Sequence, residues 1–165
     1  MGDACHHHHH DGPPDAGDVE RALAAADTRL RAEGERMTAA RLRVLGLLLA
    51  AGEPVKAYDL IARFGEDGQP AKPPTVYRAL EFLERKGLAH RIASISAYVA
   101  CNAEAADAGS PHAAAFLICD CCGATEEVSA PVTGGLISAA ERAGYVLART
   151  TIEAHGRCPA CHVSA

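Results

Sequence analysis

Two pairs of cysteines near the C-terminus, Cys119 with Cys122 and Cys158 with Cys161, share the spacing Cys-x-x-Cys. A turn of this spacing directs two sulfur atoms at one point, and four thiolates complete the tetrahedral shell of a structural zinc ion. Gly123, directly after the first pair, allows the tight backbone turn that such a site needs. An iron–sulfur or rubredoxin-like centre uses the same four ligands, and spacing alone does not separate the metals. We interpret the pattern as a structural zinc site.

Thiol–disulfide exchange is the alternative chemistry for the first pair. A redox Cys-x-x-Cys usually opens a helix in a thioredoxin-like unit, whereas the apolar run before Cys119 and the glycine after Cys122 predict a strand followed by a turn. The chain has seven cysteines and no signal-peptide pattern at its N-terminus, which favours metal or redox chemistry over structural disulfides. Cys5 and Cys121 receive no role in this interpretation.

A second set of ligand types is spread over the middle of the chain. His90 and Cys101 lie on two predicted strands of a hairpin, and a turn symmetric about residues 95 and 96 would place them directly opposite each other. Opposed residues have Cβ atoms about 4.5–5.5 Å apart, which suits a shared metal. His112 and Glu127 follow, and a set that includes one thiolate suits zinc better than ferrous iron. The alternative is a surface histidine and a small buried cysteine.

The helix predicted over residues 73–86 has two separable faces. At about 100° per residue, Val76, Ala79, Leu80 and Leu83 cluster on one side. Arg78 projects from the opposite side near the N-terminal half, where a recognition helix presents side chains to base edges. Lys72, Thr75 and Tyr77 are candidates for contacts with phosphates or thymine methyl groups. The alternative is a solvated arginine on an ordinary amphipathic helix.

Charge is distributed unevenly along a chain whose net charge is −5. Residues 29–91 hold twelve Lys and Arg against eight Asp and Glu, a net +4, and the remaining residues carry −9. This division fits a DNA-contacting part joined to a part with another task, although an uneven surface gives the same count. No run approaches the ~18 apolar residues that a membrane span needs. We therefore expect a cytoplasmic protein without a membrane partner.

The order of the predicted elements indicates an α+β protein of two small domains. Helices over 18–34, 39–51 (with Thr38 as N-cap), from Ala57 and over 73–86, then strands over 88–93 and 97–101, match a winged helix-turn-helix. Strands over 114–118, 124–128 and 145–152 and a helix over 132–143 predict a small α/β domain. The predicted boundaries are a disordered His-rich tail (1–17), a winged-helix domain (18–101), a hinge (102–113) and an α/β domain with the structural zinc site (114–165).

Several motifs together resemble the ferric-uptake-regulator family. Residues 72–80 (Lys-Pro-Pro-Thr-Val-Tyr-Arg-Ala-Leu) and 81–87 resemble its recognition helix, and residues 56–60 (Lys-Ala-Tyr-Asp-Leu) resemble the preceding helix. Residues 98–101, 118–123 and 152–158, with His112 and Glu127, are similar to the zinc-uptake-regulator branch of that family. The resemblance covers about residues 20–162, nearly the whole folded chain.

This resemblance implies a homodimer that represses zinc-import genes by binding AT-rich palindromic operators when zinc is plentiful. It implies that the second domain mediates dimerisation and that Tyr58 and Arg78 read bases. It also implies two zinc ions per subunit. The structural ligands would be Cys119, Cys122, Cys158 and Cys161, and the regulatory ligands would be His90, Cys101, His112 and Glu127.

The resemblance also sets the alternatives. A sibling regulator that senses iron or peroxide would use mostly nitrogen and oxygen ligands, which Cys101 argues against. A zinc buffer that never binds DNA would need no recognition helix. Nothing in the sequence resembles a catalytic site with an open metal position and a general base, so we expect neither enzymatic activity nor a small-molecule substrate. No histidine near Arg149 offers a third metal site, and His155 and His162 remain unassigned.

Overall fold

The computed structural model describes residues 15–65, 72–101, 112–128 and 134–162. The predictions for the His-rich tail up to residue 14, and for residues 102–111 of the hinge, lie outside these ranges. The described residues fall into two compact units, one within residues 15–101 and the other within residues 112–162. None of the helices in the described ranges has both the length and the apolar character of a membrane span.

The first unit is a winged helix-turn-helix. Its elements are α1 (Ala16–Ala32), α2 (Ala39–Ala51), β1 (Val55–Lys56), α3 (Ala57–Phe64), α4 (Pro73–Arg85), β2 (Ala89–Ile92) and β3 (Ala97–Ala100). The predicted N-cap of α2 is confirmed, since the Thr38 hydroxyl accepts a hydrogen bond from the amide of Arg41 at 3.4 Å. Strand β1 was not predicted; it pairs with β3 and completes a three-stranded antiparallel sheet in the order β1-β3-β2.

A single apolar core holds this unit together. The predicted inner face of α4 is confirmed, because Val76, Ala79, Leu80 and Leu83 are all buried. They pack with Leu30 of α1 and with residues of α2 and α3 in one cluster. Burial of a large aliphatic side chain contributes about 1.5–3 kcal/mol, so this core fixes α4 and leaves its opposite face to solvent.

The register of the β2–β3 hairpin differs from the prediction. His90 pairs with Val99 and Ile92 with Ala97, so residues 93–96 form a four-residue turn instead of the two-residue turn assumed from the sequence. Ser96 closes this turn with a φ of 52°. Cys101 instead donates its amide to the carbonyl of Leu88 at 3.0 Å. His90 and Cys101 are therefore diagonal neighbours on the same face of the hairpin rather than a directly opposed pair.

The second unit is α/β. Its elements are β4 (His112–Cys119), β5 (Thr125–Val128), α5 (Gly134–Arg142), β6 (Arg149–Gly156) and α6 (Pro159–His162). Strand β4 is central, antiparallel to β5 and parallel to β6. The strand predicted over 145–152 lies later than expected, because β6 pairs with β4 along its whole length, from Arg149 opposite His112 to Gly156 opposite Cys119.

Candidate metal centres and nucleic-acid interface

The parallel pairing of β4 and β6 explains why two distant Cys-x-x-Cys segments meet. Cys119 ends β4 directly opposite Gly156 of β6, so the chain leaves both strands at the same edge of the sheet. After β4 the backbone folds back in a tight turn, in which Gly123 has a φ of 77° and donates its amide to the Cys119 carbonyl. After β6 the short helix α6 carries Cys161 back beneath Cys158.

The four predicted cysteines form one cluster. The Sγ atoms of Cys119, Cys122, Cys158 and Cys161 all lie within 4.8 Å of one another. Cys122 Sγ and Cys158 Sγ are 3.8 Å apart. A regular tetrahedron with metal–sulfur bonds of about 2.3 Å has edges of about 3.8 Å. The Cys122–Cys158 separation therefore matches one edge of this tetrahedron, and the other sulfur pairs lie within 4.8 Å.

The environment of the cluster shifts the pKa values of Cys119 and Cys161 in opposite directions. A backbone hydrogen bond from Cys158, and then one from Cys122, lowers the pKa of the Cys119 thiol to about 6. The Cys158 amide approaches Cys119 Sγ at 3.3 Å. Burial, and then the surrounding thiols, raise the pKa of Cys161. Zinc binds thiolates, so Cys119 offers a ligand that is ionised at neutral pH, whereas Cys161 gives up its proton when the metal arrives.

A side-chain contact that the sequence did not predict borders this cluster. Asp120, directly after Cys119, approaches His155 with Oδ1 3.0 Å from Nδ1, and the Asp120 amide donates to the Gly156 carbonyl at 2.8 Å. The register that places Ile118 opposite His155 brings the two side chains together. They therefore join the first cysteine turn to β6, a role that sequence spacing alone did not reveal.

The structure argues against the thiol–disulfide alternative for the first pair. Cys119 is the last residue of β4 and Cys122 lies in the turn before β5, so this pair does not open a helix. Such a helix start is what lowers the thiol pKa in thioredoxin-like motifs. Cys121, between the two ligands, is exposed.

The described part of the first unit brings two of the predicted regulatory ligands together. A ring nitrogen of His90 and the Sγ atom of Cys101 lie within 4.8 Å of each other. Among the described residues, His90 is the polar residue that is buried, with 5% of its surface exposed. A zinc ion bound to one nitrogen and one sulfur holds these atoms about 3.6 Å apart, so the two side chains are close enough to be candidates for a shared ion.

The two remaining regulatory candidates lie in the second unit. Glu127 is on β5, opposite Phe116 of β4, and within the described ranges its Oε2 atom is buried without a hydrogen-bond partner. Burial raises the pKa of this carboxyl group. A buried carboxylate oxygen without a partner is costly, and a bound cation would remove that cost. His112 is the first residue of β4, two residues earlier than the predicted start of that strand.

The candidate DNA contacts of the first unit are accessible to solvent. Arg78 and Tyr77 are exposed on α4, Lys72 is exposed at its N-cap, and Thr75 is partly exposed in its first turn. Tyr58 of α3 is 79% exposed. These side chains are therefore accessible to a binding partner.

This fold and the cysteine cluster define a winged-helix protein with a candidate metal centre. Residues 32–155 match the ferric uptake regulator family. The chain is also 38% identical to the zinc uptake regulation protein of Escherichia coli (strain K12) over 144 residues, which is 87% of this chain and 82% of that protein. The protein belongs to the ferric uptake regulator family.

Solved structures agree with this assignment. A zinc uptake regulator complexed with zinc and DNA is 37% identical, covers 88% of this chain and 96% of its own, and superposes with a TM-score of 0.74. Holo XcZur is 36% identical, covers 86% and 96% of the two chains, and gives a TM-score of 0.70. The ferric uptake regulator of Helicobacter pylori, at 16% identity and a TM-score of 0.54, shares the fold.

Proposed function

We propose that this protein is a zinc-responsive transcriptional repressor that binds operator DNA in its zinc-loaded form and shuts off zinc-uptake genes. One observation carries the proposal. The helix that exposes Arg78 is followed, after a short joint, by the strand that bears the buried candidate ligand His90. A metal-binding residue is thus built next to a DNA-reading element. The likeness to zinc uptake regulators, one of them solved with zinc and DNA, supports the same conclusion.

Two zinc ions per subunit follow from the two ligand sets. Cys119, Cys122, Cys158 and Cys161 hold a structural ion, since four thiolates leave no open coordination position. His90, Cys101, His112 and Glu127 hold the regulatory ion. The proximity of His90 to Cys101 and the buried oxygen of Glu127 support this set. Zinc supplies no reaction here; it fixes the positions of its ligands.

The DNA-binding surface follows from the exposed face of α4. Arg78 reads guanine through a bidentate contact, which is worth about 1–3 kcal/mol of discrimination between bases. Tyr58 reads bases from α3. Lys72, Thr75 and Tyr77 position the helix through phosphates and thymine methyl groups. Palindromic operators follow if two copies bind as a symmetric dimer.

The second unit is the part that mediates dimerisation in this proposal. Helix α5 has no buried residue within the described ranges, and Leu136 on it is 47% exposed. Tyr145 and Val146, three and four residues after its end, are 70% and 97% exposed. A small unit that leaves such apolar side chains in water has a face suited to a second copy of the chain.

Zinc controls DNA affinity in this proposal by selecting one arrangement of the chain. The regulatory ligands come from both sides of residues 102–111, so an occupied site restrains the segments that it joins. If DNA binds only that arrangement, occupancy shifts the population towards it. A shift from 1:99 to 99:1 requires about 5.5 kcal/mol of differential binding.

The decisive experiment is an operator titration at fixed salt with buffered free zinc. The operator is first selected from a random duplex library with zinc-loaded protein. Binding that rises steeply with free zinc, and that ferrous iron at matched free concentration does not reproduce, supports the proposal. Preference for iron would indicate a sibling regulator. Equal binding by metal-free and zinc-loaded protein would refute zinc control, and failure to select any duplex would indicate a zinc buffer.

A further inference from the structure

A group of charged side chains surrounds the C-terminal end of α4. The Lys86 ammonium lies 2.9 Å from Glu35 Oε1 and 3.1 Å from Glu33 Oε2. The Arg29 guanidinium of α1 donates a hydrogen bond to the main-chain carbonyl of Lys86. We name Arg29, Glu33, Glu35 and Lys86 the α4 charge cluster. It ties the end of α1 and the turn after it to the end of α4.

The location of this cluster distinguishes it from an ordinary surface ion pair. Lys86 is the C-cap of α4, Gly87 reverses the chain with a φ of 63°, and the Leu88 amide bonds back to the Leu83 carbonyl at 2.8 Å. Strand β2 begins at the next residue, Ala89. The cluster therefore surrounds the joint between the helix that exposes Arg78 and the strand that carries His90.

The contacts within the cluster support one another. The last carbonyls of a helix have no partner within it, and Arg29 supplies a cationic donor to one of them. Glu35 raises the pKa of Lys86 more than any other group, and Lys86 in turn lowers the pKa of Glu35. Arg41 and Arg85 also lower the pKa of Glu35. Only 19% of the Lys86 side chain is exposed, so the ammonium is held between its partners.

Stability alone does not explain this arrangement. Ion pairs near the protein surface contribute little to folding, and the apolar core secures the buried face of α4 without specifying the path of the chain after its last turn. What the cluster adds is direction, because Lys86 bonds to two separate carboxylates and its own carbonyl is bonded by Arg29. These contacts fix where the chain turns from α4 into β2.

We propose that Lys86, Glu33 and Glu35 are positioning residues for DNA recognition, which fix the α4–β2 joint and so keep α4 at the angle that operator binding requires. This inference rests on the proposed function, because it gives α4 the task of reading DNA. It assigns Lys86 a role through its intramolecular partners and not through a phosphate.

The inference is tested by neutralising the positive charge of Lys86 and, in a separate variant, the negative charge of Glu35. We expect Lys86→Met to weaken binding of zinc-loaded protein to the selected operator by about 5- to 30-fold, the effect of losing 1–2 kcal/mol. Binding to an unrelated duplex, and the slope of log K against log salt, should stay unchanged. Lys86→Arg should restore most of the operator affinity. Glu35→Gln should also weaken operator binding, although it removes a negative charge and would strengthen binding if only the overall field mattered.

Two results of the DNA titrations would overturn the inference. One is that Lys86→Met weakens both duplexes equally and reduces the salt slope by about one, which is the behaviour of a phosphate contact. The other is that Glu35→Gln leaves operator binding unchanged or strengthens it. Thermal unfolding of each variant establishes that the chain still folds.

A readout without DNA separates this inference from the proposed function. The joint contains two main-chain hydrogen bonds, from the Leu88 amide to the Leu83 carbonyl and from the Gly87 amide to the Glu84 carbonyl. In Lys86→Met and Glu35→Gln, both amides should exchange with solvent faster than in the wild type, while amides in the middle of α2 keep their protection. Unchanged exchange at the joint would refute a positioning role, whether or not the protein binds DNA.

Discussion

Cys119 and Cys101 are both candidate zinc ligands, yet their surroundings differ. Cys119 is 4% exposed and shares its cluster with three other sulfur atoms. Its Sγ atom accepts a hydrogen bond from the Cys158 amide. Cys101 lies at the end of the hairpin, half-buried beside His90. We expect Cys119→Ser to lose the structural zinc and to lower the unfolding temperature, whereas Cys101→Ser stays folded but no longer responds to zinc.

Zinc content, thermal unfolding and operator binding together check this pair of variants. One zinc ion per chain should remain in Cys101→Ser, and its operator binding should be weak at every free zinc concentration. If both variants unfold at the same reduced temperature, the separation into a structural and a regulatory site is wrong.

Arg78 offers the clearest test of base reading. Arg78→Ala removes an exposed guanidinium from α4 without disturbing the buried face of that helix. We expect operator binding to weaken by about 1–3 kcal/mol and discrimination between related operators to relax. The measurement is a set of titrations over operators with single base changes.

Arg21→Ala is the matched control for this variant. Its side chain is 79% exposed on α1 and pairs with Asp18, so the substitution removes the same formal charge elsewhere on the same unit. Operator affinity that falls equally in both variants would mean that net charge, and not a contact of Arg78, governs binding.

The sequence allowed some of these residues to be predicted because their signals are local. The two Cys-x-x-Cys spacings and the outward position of Arg78 on a 3.6-residue period each depend on a few neighbouring residues. The α4 charge cluster has no such signal, since Lys86 and Glu33 are 53 positions apart. Only packing of α1 against the rest of the unit brings them together.

Gly123 has a specific task in the first cysteine turn. Its φ of 77° lies in the left-handed region, and a Cβ atom added there would meet nothing within 4 Å. Gly123→Ala therefore costs backbone strain and not a clash, at about 1–2 kcal/mol. We expect this variant to release its structural zinc to a chelator faster than the wild type does, as a colorimetric zinc assay would show.

Gly144→Ala is the control for the backbone strain that Gly123→Ala introduces. Gly144 follows α5, has a φ of 76° and also has open space around its Cβ position. Both variants should lose similar stability, but Gly144→Ala should keep the wild-type rate of zinc release. Equal acceleration in both would mean that zinc release follows overall stability and not the geometry of the cysteine turn.

Helices were easier to predict than strand pairing. The four helices of the first unit follow apolar periodicity, caps and proline. The hairpin register was wrong because nothing in Ala93 to Ser96 specifies the length of the turn. The shift moved the partner of His90 from Cys101 to Val99, a change of two residues, which keeps Cys101 on the same face. Strand β1 has two residues, too few for an alternating pattern.

The two units differ in how much apolar core each one has. The first buries large side chains from four helices, among them Leu30, Leu48, Leu60 and Leu80. In the described part of the second unit, the buried residues are Ala114, Ala115, Phe116, Ile118, Cys119 and Cys161, so Phe116 and Ile118 are the large apolar side chains and two of the six are candidate zinc ligands. We therefore expect the second unit to depend on bound zinc for much of its stability.

Removal of zinc should consequently affect the two units unequally. A structural zinc site can contribute about 10–16 kcal/mol, which is as large as the whole stability of a typical domain. After treatment with a strong chelator under reducing conditions, we expect amides of β4, β5 and β6 to lose their protection from hydrogen exchange, whereas amides of α2 and α4 keep theirs. Cys119→Ser without chelator should reproduce this pattern, because it removes only the structural ion. Loss of protection in α2 and α4 to the same degree would show that the chain unfolds as one body, and full protection of β4 to β6 without zinc would show that the cysteine cluster does not stabilise the fold.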